Sequence, residues 1–215
     1  MIHINEIPLD FEPRRKILPK IPAVPDEPEM SEFESAFLCG ALKTFRPKKI
    51  LEIGVAGGAT TAIILQTLED LGEPYEIHSV DVAEKFYCDQ SKTSGFMAMF
   101  AKEKILGELR GTHEFHIGKV LPQIIDEIGG DIDFVILDTV HNLPSEVLDF
   151  IAMLPYLKVG AVVVLHDVSD KKFLSSGYRG FVQRGDCGKI FELRRAGSLP
   201  LSEYRRVQSQ SADGR

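Results

Sequence analysis

Glu52, Gly54, Gly57 and Gly58 stand within seven residues of one another in ILEIGVAGGATT (50–61), between an apolar run and an amphipathic one. Three glycines in five residues let the main chain fold close against something. That something is a dinucleotide, a phosphate, another cofactor, or only the neighbouring chain. Asp81 closes a second apolar run in HSVD (78–81). Further on, Asp138 and His141 follow the run IDFVIL, and His166 and Asp167 follow AVVVL. Four ligand-type side chains behind two apolar runs suit either of two chemistries. Carboxylate oxygens can hold Mg²⁺, which lowers the pKa of a bound hydroxyl and orients it. Without a metal, His141 or His166 has the near-neutral pKa of a general base.

The glycine spacing excludes two phosphate cradles. A dinucleotide loop needs G-x-G-x-x-G after its strand, whereas Gly54 is followed by Val55 and Ala56 before the next glycine. A P-loop needs G-K-[ST], and no lysine stands between Gly58 and the end of the following helical stretch.

The elements that position these residues alternate. Ser31 and Glu34 form a capping-box pattern, and the spacing behind them predicts a helix that Pro47 ends. Strands are predicted at 49–53, 76–80, 112–117, 132–137 and 161–165, and helices at 59–71, 96–109, 120–128 and 144–154. Strands alternating with helices imply an α/β fold, a doubly wound, mostly parallel sheet. Five such steps are too few for an eight-stranded barrel. Ligands of such a sheet bind beyond the carboxyl ends of its strands. FVQRGDCGKIFELRR (181–195) reads as an antiparallel hairpin closing that sheet.

Prolines at 8, 13, 19, 22, 25 and 28 mark residues 1–30 as an extended arm, which packs on a partner subunit or stays disordered. A homodimer is therefore an expectation. Residues 31–200 form the domain and 201–215 a flexible tail. The polar segment 84–95 reads as a loop, either a lid over the site or plain surface. His78 and His116 fall in strands and read as structural.

The 215 residues, 44% of them hydrophobic and 27% charged, describe a soluble globular chain of one domain. A net charge of −7 argues against general affinity for nucleic-acid backbones. Cys39, Cys88 and Cys187 have no CxxC spacing, which suits a reduced, cytoplasmic protein. No apolar run has the length of a membrane span or of a signal sequence.

Glu52, Gly54 and Gly58, in the pattern E-x-G-x-x-x-G, resemble the first motif of class I S-adenosylmethionine (SAM)-dependent methyltransferases, with Gly57 adding freedom. Asp81 then matches the acidic residue that binds the ribose hydroxyls in that family. A carboxylate suits the task because it accepts two hydrogen bonds at once. IDFVILDTVHNLPSEVLDFIAMLPYLKVGAVVVLHD resembles the small-molecule O-methyltransferase branch, with catechol- and sugar-type relatives. Val159 replaces a usual proline and Ala161 a usual glycine. The resemblance covers about 31–167.

It implies that SAM binds at Glu52, Gly54, Gly57, Gly58 and Asp81, with Glu52 reaching its ammonium directly or through water. A further contact is expected at Gly118. The family's adenine-binding acidic residue is replaced by Lys119, so that role is not carried over. The acceptor is a small-molecule hydroxyl, with Asp138, His141 and His166 as catalytic candidates. A metal would sit on Asp138, Asp167 and His141. Relatives of the catechol type carry an asparagine after the second aspartate, where Val168 stands here, so metal and general base both stay open.

Overall fold

Residues with β-branched and aliphatic side chains in short runs build the centre of the molecule. The structure is a computed structural model that describes residues 6–22, 24, 30–139, 145–166 and 189–192. Strand β1 (Lys49–Ile53), β2 (Glu76–Asp81), β5 (Thr112–Ile117), β6 (Ile132–Leu137), β7 (Leu157–Leu165) and β8 (Lys189–Glu192) form one sheet in the order β5-β2-β1-β6-β7-β8. The first five are parallel and β8 runs antiparallel to β7. This is the doubly wound sheet expected. The other half of the expected C-terminal hairpin lies outside the described residues.

Alternation along the strands divides the core in two. Ile50, Ile77, Phe134 and Ile136 pack against helices α2 (Glu32–Phe45) and α3 (Ala59–Leu71). Leu51, Ile53, Val80 and Val135 face α5 (Leu121–Ile128) and α6 (Ser145–Met153). Burial on both faces is why these strands read as continuous apolar runs rather than alternating ones. Helix α2 starts where its capping box predicts: the Glu34 N–H donates to Ser31 Oγ, and the Ser31 N–H to Glu34 Oε2. Among the described residues no helix is long and apolar enough to cross a membrane.

Three expectations need correction. The proline-rich arm is not extended throughout, for helix α1 (Glu12–Ile17) and a 3₁₀ turn (Leu18–Lys20) occupy its middle. Pro13 and Pro19 sit in the first turns of these pieces, where a missing N–H costs nothing. Ile17 and Leu18 are buried against Ala62 and Ile63 of α3, so this stretch packs on its own domain. Residues 84–95 are not an irregular loop: β3 (Lys85–Phe86) and β4 (Asp89–Thr93) pair antiparallel. Finally, helix α4 (Phe96–Ala101) passes into a π-type turn (Lys102–Leu106) and stops at Gly107, short of the predicted end at 109. Gly107, at φ +72°, takes a conformation that ends the helix at little cost.

Candidate active site

The parallel ladders carry the site residues to one edge. The Gly54 N–H donates to the Val80 carbonyl, the Asp138 N–H to that of Ile53, the His166 N–H to that of Leu137, and the Gly118 N–H to that of Asp81. Each therefore stands just beyond the carboxyl end of its strand. Strand order reverses between β1 and β6, the switch point where an open α/β sheet holds its ligands. His141 and Asp167 lie outside the described residues.

The glycine loop is pressed first by its own chain. Gly54 has φ +96°, and a Cβ there would meet the Asp138 carbonyl oxygen at 1.6 Å. Gly58 has φ +86°, and its Cβ would meet Gly95 Cα at 2.8 Å. The Gly95 N–H donates to the Ala56 carbonyl and the Met97 N–H to that of Gly57. The entrance to α4 thus lies against the loop. Two glycines are accounted for by close main-chain approach, independent of any ligand.

Beneath the loop Glu52 is 0% exposed. Its Oε2 accepts from Thr61 Oγ1 at 2.8 Å and from Ser79 Oγ at 2.6 Å. Its Oε1 is buried without a hydrogen-bond partner among the described residues. Burial pushes the carboxyl up to about 7, against the pull of the two hydroxyls. A buried carboxylate oxygen in this state is satisfied by an ammonium donor or by a water bridging to one.

Asp81 accepts from the Val55 and Ala56 N–H groups through Oδ2, at 2.9 and 2.8 Å, and from the Ala83 N–H through Oδ1. It is the clasp between the loop and the end of β2. Oδ2 is filled by its two donors, while Oδ1 keeps one lone pair, so a hydroxyl of a diol can still be accepted there. The Gly118 and Lys119 N–H groups both donate to the Asp81 carbonyl, which ties the end of β5 to the end of β2.

On the acceptor side, His166 Nδ1 lies 2.9 Å from Asp138 Oδ1 and its Nε2 3.5 Å from Glu34 Oε1. Burial would lower this imidazole, but the two carboxylates override it and push it up to about 10. His166 is therefore an imidazolium near neutral pH and has no lone pair for a proton. Burial would likewise raise Glu34, but His166 and the Ser31 cap hold it at about 2.

Sequence reasoning missed Glu34, Thr61, Ser79 and Gly95. Ser79 was within reach, because parallel pairing of β1 with β2 sets it beside Glu52. Nothing in the spacing joins Glu34 to His166.

A family model described as a methyltransferase domain matches residues 51–168, more than half of the chain. The chain belongs to this family. Its fold is that of the class I methyltransferases. Within the methyltransferase domain, the match begins in β1 and runs past β7, so it contains the glycine loop, Asp81 and both acceptor-side strands. An O-methyltransferase from Bacillus cereus in complex with SAH (S-adenosylhomocysteine) is similar in structure, with a TM-score of 0.50 and 20% identity over 71% of this chain and 64% of that one. At that identity the likeness concerns the fold. The SAH-bound methyltransferase PaMTH1 from Podospora anserina is also similar, at a TM-score of 0.49 and 17% identity, covering 67% of this chain and 56% of that one. So is the SAM-bound O-methyltransferase TomG from Streptomyces achromogenes, at 0.48 and 21%, covering 75% and 67%. The chain thus spans 56% of the Podospora protein and 64% of the Bacillus one. No curated protein matches it significantly.

Proposed function

We propose that this protein transfers the methyl group of SAM to a hydroxyl of a small phenolic or sugar-like molecule. The observation that carries the reading is one edge holding three groups: a buried carboxylate at Glu52, the glycine loop Gly54–Gly58 and the Asp81 carboxylate that clasps it. Glu52 Oε1 fits the ammonium end, directly or through water, and answers the orphaned oxygen. Asp81 fits the ribose end. The cofactor carries no phosphate, which agrees with a loop that lacks lysine.

Bound SAM supplies an electrophilic methyl on a sulfonium. The chain's own task is to align an acceptor oxygen in line and to take its proton. His166 holds Asp138 in place by charge and leaves the proton to another group. In this reading His141 is the base, or Asp138, Asp167 and His141 would hold a Mg²⁺ ion, which would supply a lowered pKa for the hydroxyl.

The test is incubation with methyl-labelled SAM and a panel of phenols, catechols and sugars, with and without chelator. Label in an acceptor hydroxyl supports the reading, and its loss under chelator selects the metal. SAM binding in calorimetry without transfer to any hydroxyl would replace it with a non-catalytic SAM-binding protein.

A further inference from the structure

Away from the crevice, strands β2 and β5 bring two histidines and a carboxylate to one spot. His78 is directly opposite Glu114 in the parallel register, and His116 is opposite Val80, so all three side chains project from the same face. His78 Nδ1 lies 3.0 Å from His116 Nε2 and 3.9 Å from Glu114 Oε2. One ligand atom from each residue falls within 4.8 Å of the others.

We propose that His78, His116 and Glu114 bind a zinc-class divalent cation at the sheet edge, with Glu76 as the group that orients His78. Two imidazole nitrogens and one carboxylate are a donor set for zinc rather than for magnesium or calcium. Ligands at ~2.0–2.1 Å in a tetrahedron stand roughly 3.3 Å apart, so the two nitrogens need to separate by only a few tenths of an ångström. Glu114 is exposed, and its side chain swings the remaining distance.

The orienting partner is already in place. His78 Nε2 lies 2.7 Å from Glu76 Oε1 and donates its proton there, which leaves Nδ1 as the lone-pair nitrogen facing His116. A carboxylate behind a ligating imidazole fixes its tautomer and raises its basicity. His116 frees its Nε2 by moving that proton to Nδ1, so no net proton is lost.

The surroundings favour a cation. Glu76 and Glu114 flank the pair and Glu127 acts on His116, whereas the nearby Lys49 is already tied to Glu76 at 2.8 Å. Three protein ligands, two of them short of full burial, leave a fourth position for water. The cation would brace edge strand β5 on β2, two residues before Gly118 bonds the end of β2. It does not depend on the methyl-transfer reading.

The experiment uses the untagged full chain after dialysis against chelator. Zn²⁺ is titrated in competition with a chromophoric chelator, and Co²⁺ by its d–d absorption. One equivalent of Zn²⁺ should bind with four-coordinate Co²⁺ bands and a raised Tm. H116A and E114A should each weaken Zn²⁺ by more than tenfold while keeping the metal-free circular dichroism. E76Q should weaken it about 10–100-fold, the range for an orienting partner. Absence of saturable binding, or wild-type affinity in an H116A/E114A double variant, would overturn the proposal. So would loss of Zn²⁺ in D138N but not in H116A, since that assigns the cation to the crevice.

Discussion

His166 Nδ1 stands 2.9 Å from Asp138 Oδ1, and Glu34 closes on the opposite ring nitrogen. The carboxyl ends of β6 and β7 are thereby fastened to the first turn of α2. The pair is shielded from solvent, so it matters more than an exposed ion pair does.

Its pH dependence follows from the two shifts. His166 is raised from 6.5 to about 10, so its contribution is complete below pH ~6.5 and is lost as pH rises through 10. Glu34 is lowered from 4.5 to about 2, so its contribution is complete above pH ~4.5 and fades toward 2. His166→Gln should lower stability most between pH 5 and 7 and should flatten the fall between pH 7 and 10. Urea unfolding at a series of pH values reads this; an unchanged alkaline slope would show that the imidazolium contributes nothing.

Glu52 has the opposite sign. Its folded pKa of about 7 exceeds the ordinary 4.5, so the folded state binds the extra proton and stability falls as pH rises from 4.5 through 7. Glu52→Gln should remove that fall and leave the protein more stable than wild type at pH 8. It should also weaken SAM, because the buried oxygen no longer offers a charge to the ammonium. Paired denaturation and calorimetry separate the two effects, and equal SAM affinity in the variant would rule out the ammonium contact.

Asp81→Ala should reduce SAM affinity more than tenfold in calorimetry. It also strips the acceptor from the Val55 and Ala56 N–H groups, which costs about 1–3 kcal/mol of stability. Asp81→Asn keeps one acceptor oxygen and should recover much of the stability while binding the diol poorly. Affinity that tracks stability across both variants would mean that Asp81 only holds the loop.

Gly54→Ala and Gly72→Ala make a controlled pair. Both positions have positive φ, but only Gly54 has a carbonyl in the way; around Gly72 nothing lies within 4 Å. Gly72→Ala should cost about 1–2 kcal/mol for the left-handed backbone alone. Gly54→Ala should cost several times more or prevent folding, read as Tm or as soluble yield. Similar costs at the two sites would show that Asp138 yields to the intruding methyl.

The parallel strands and their helices were legible because burial on both faces leaves long apolar runs. The capping box at Ser31 and the boundaries of β1, β5 and β6 followed from local chemistry. The middle of the N-terminal arm and the 84–95 hairpin were not legible. Pro13 forbids a helix interior but not a first turn, and Asp89–Thr93 is a polar strand whose pairing shows no apolar period.

The same division runs through the site. The sequence alone determined which residues follow the strands, since a side chain's place along its strand is a local property. It thereby determined that Glu52, Gly54, Asp81, Gly118, Asp138 and His166 belong to one edge. Only the tertiary structure decided what each of them meets there. Gly54 meets Asp138 across 84 positions of sequence, His166 meets Glu34 across 132, and His78 meets His116 across 38. Charge state and strain depend on distance in space, and distances of that kind are set by packing, which no local pattern encodes.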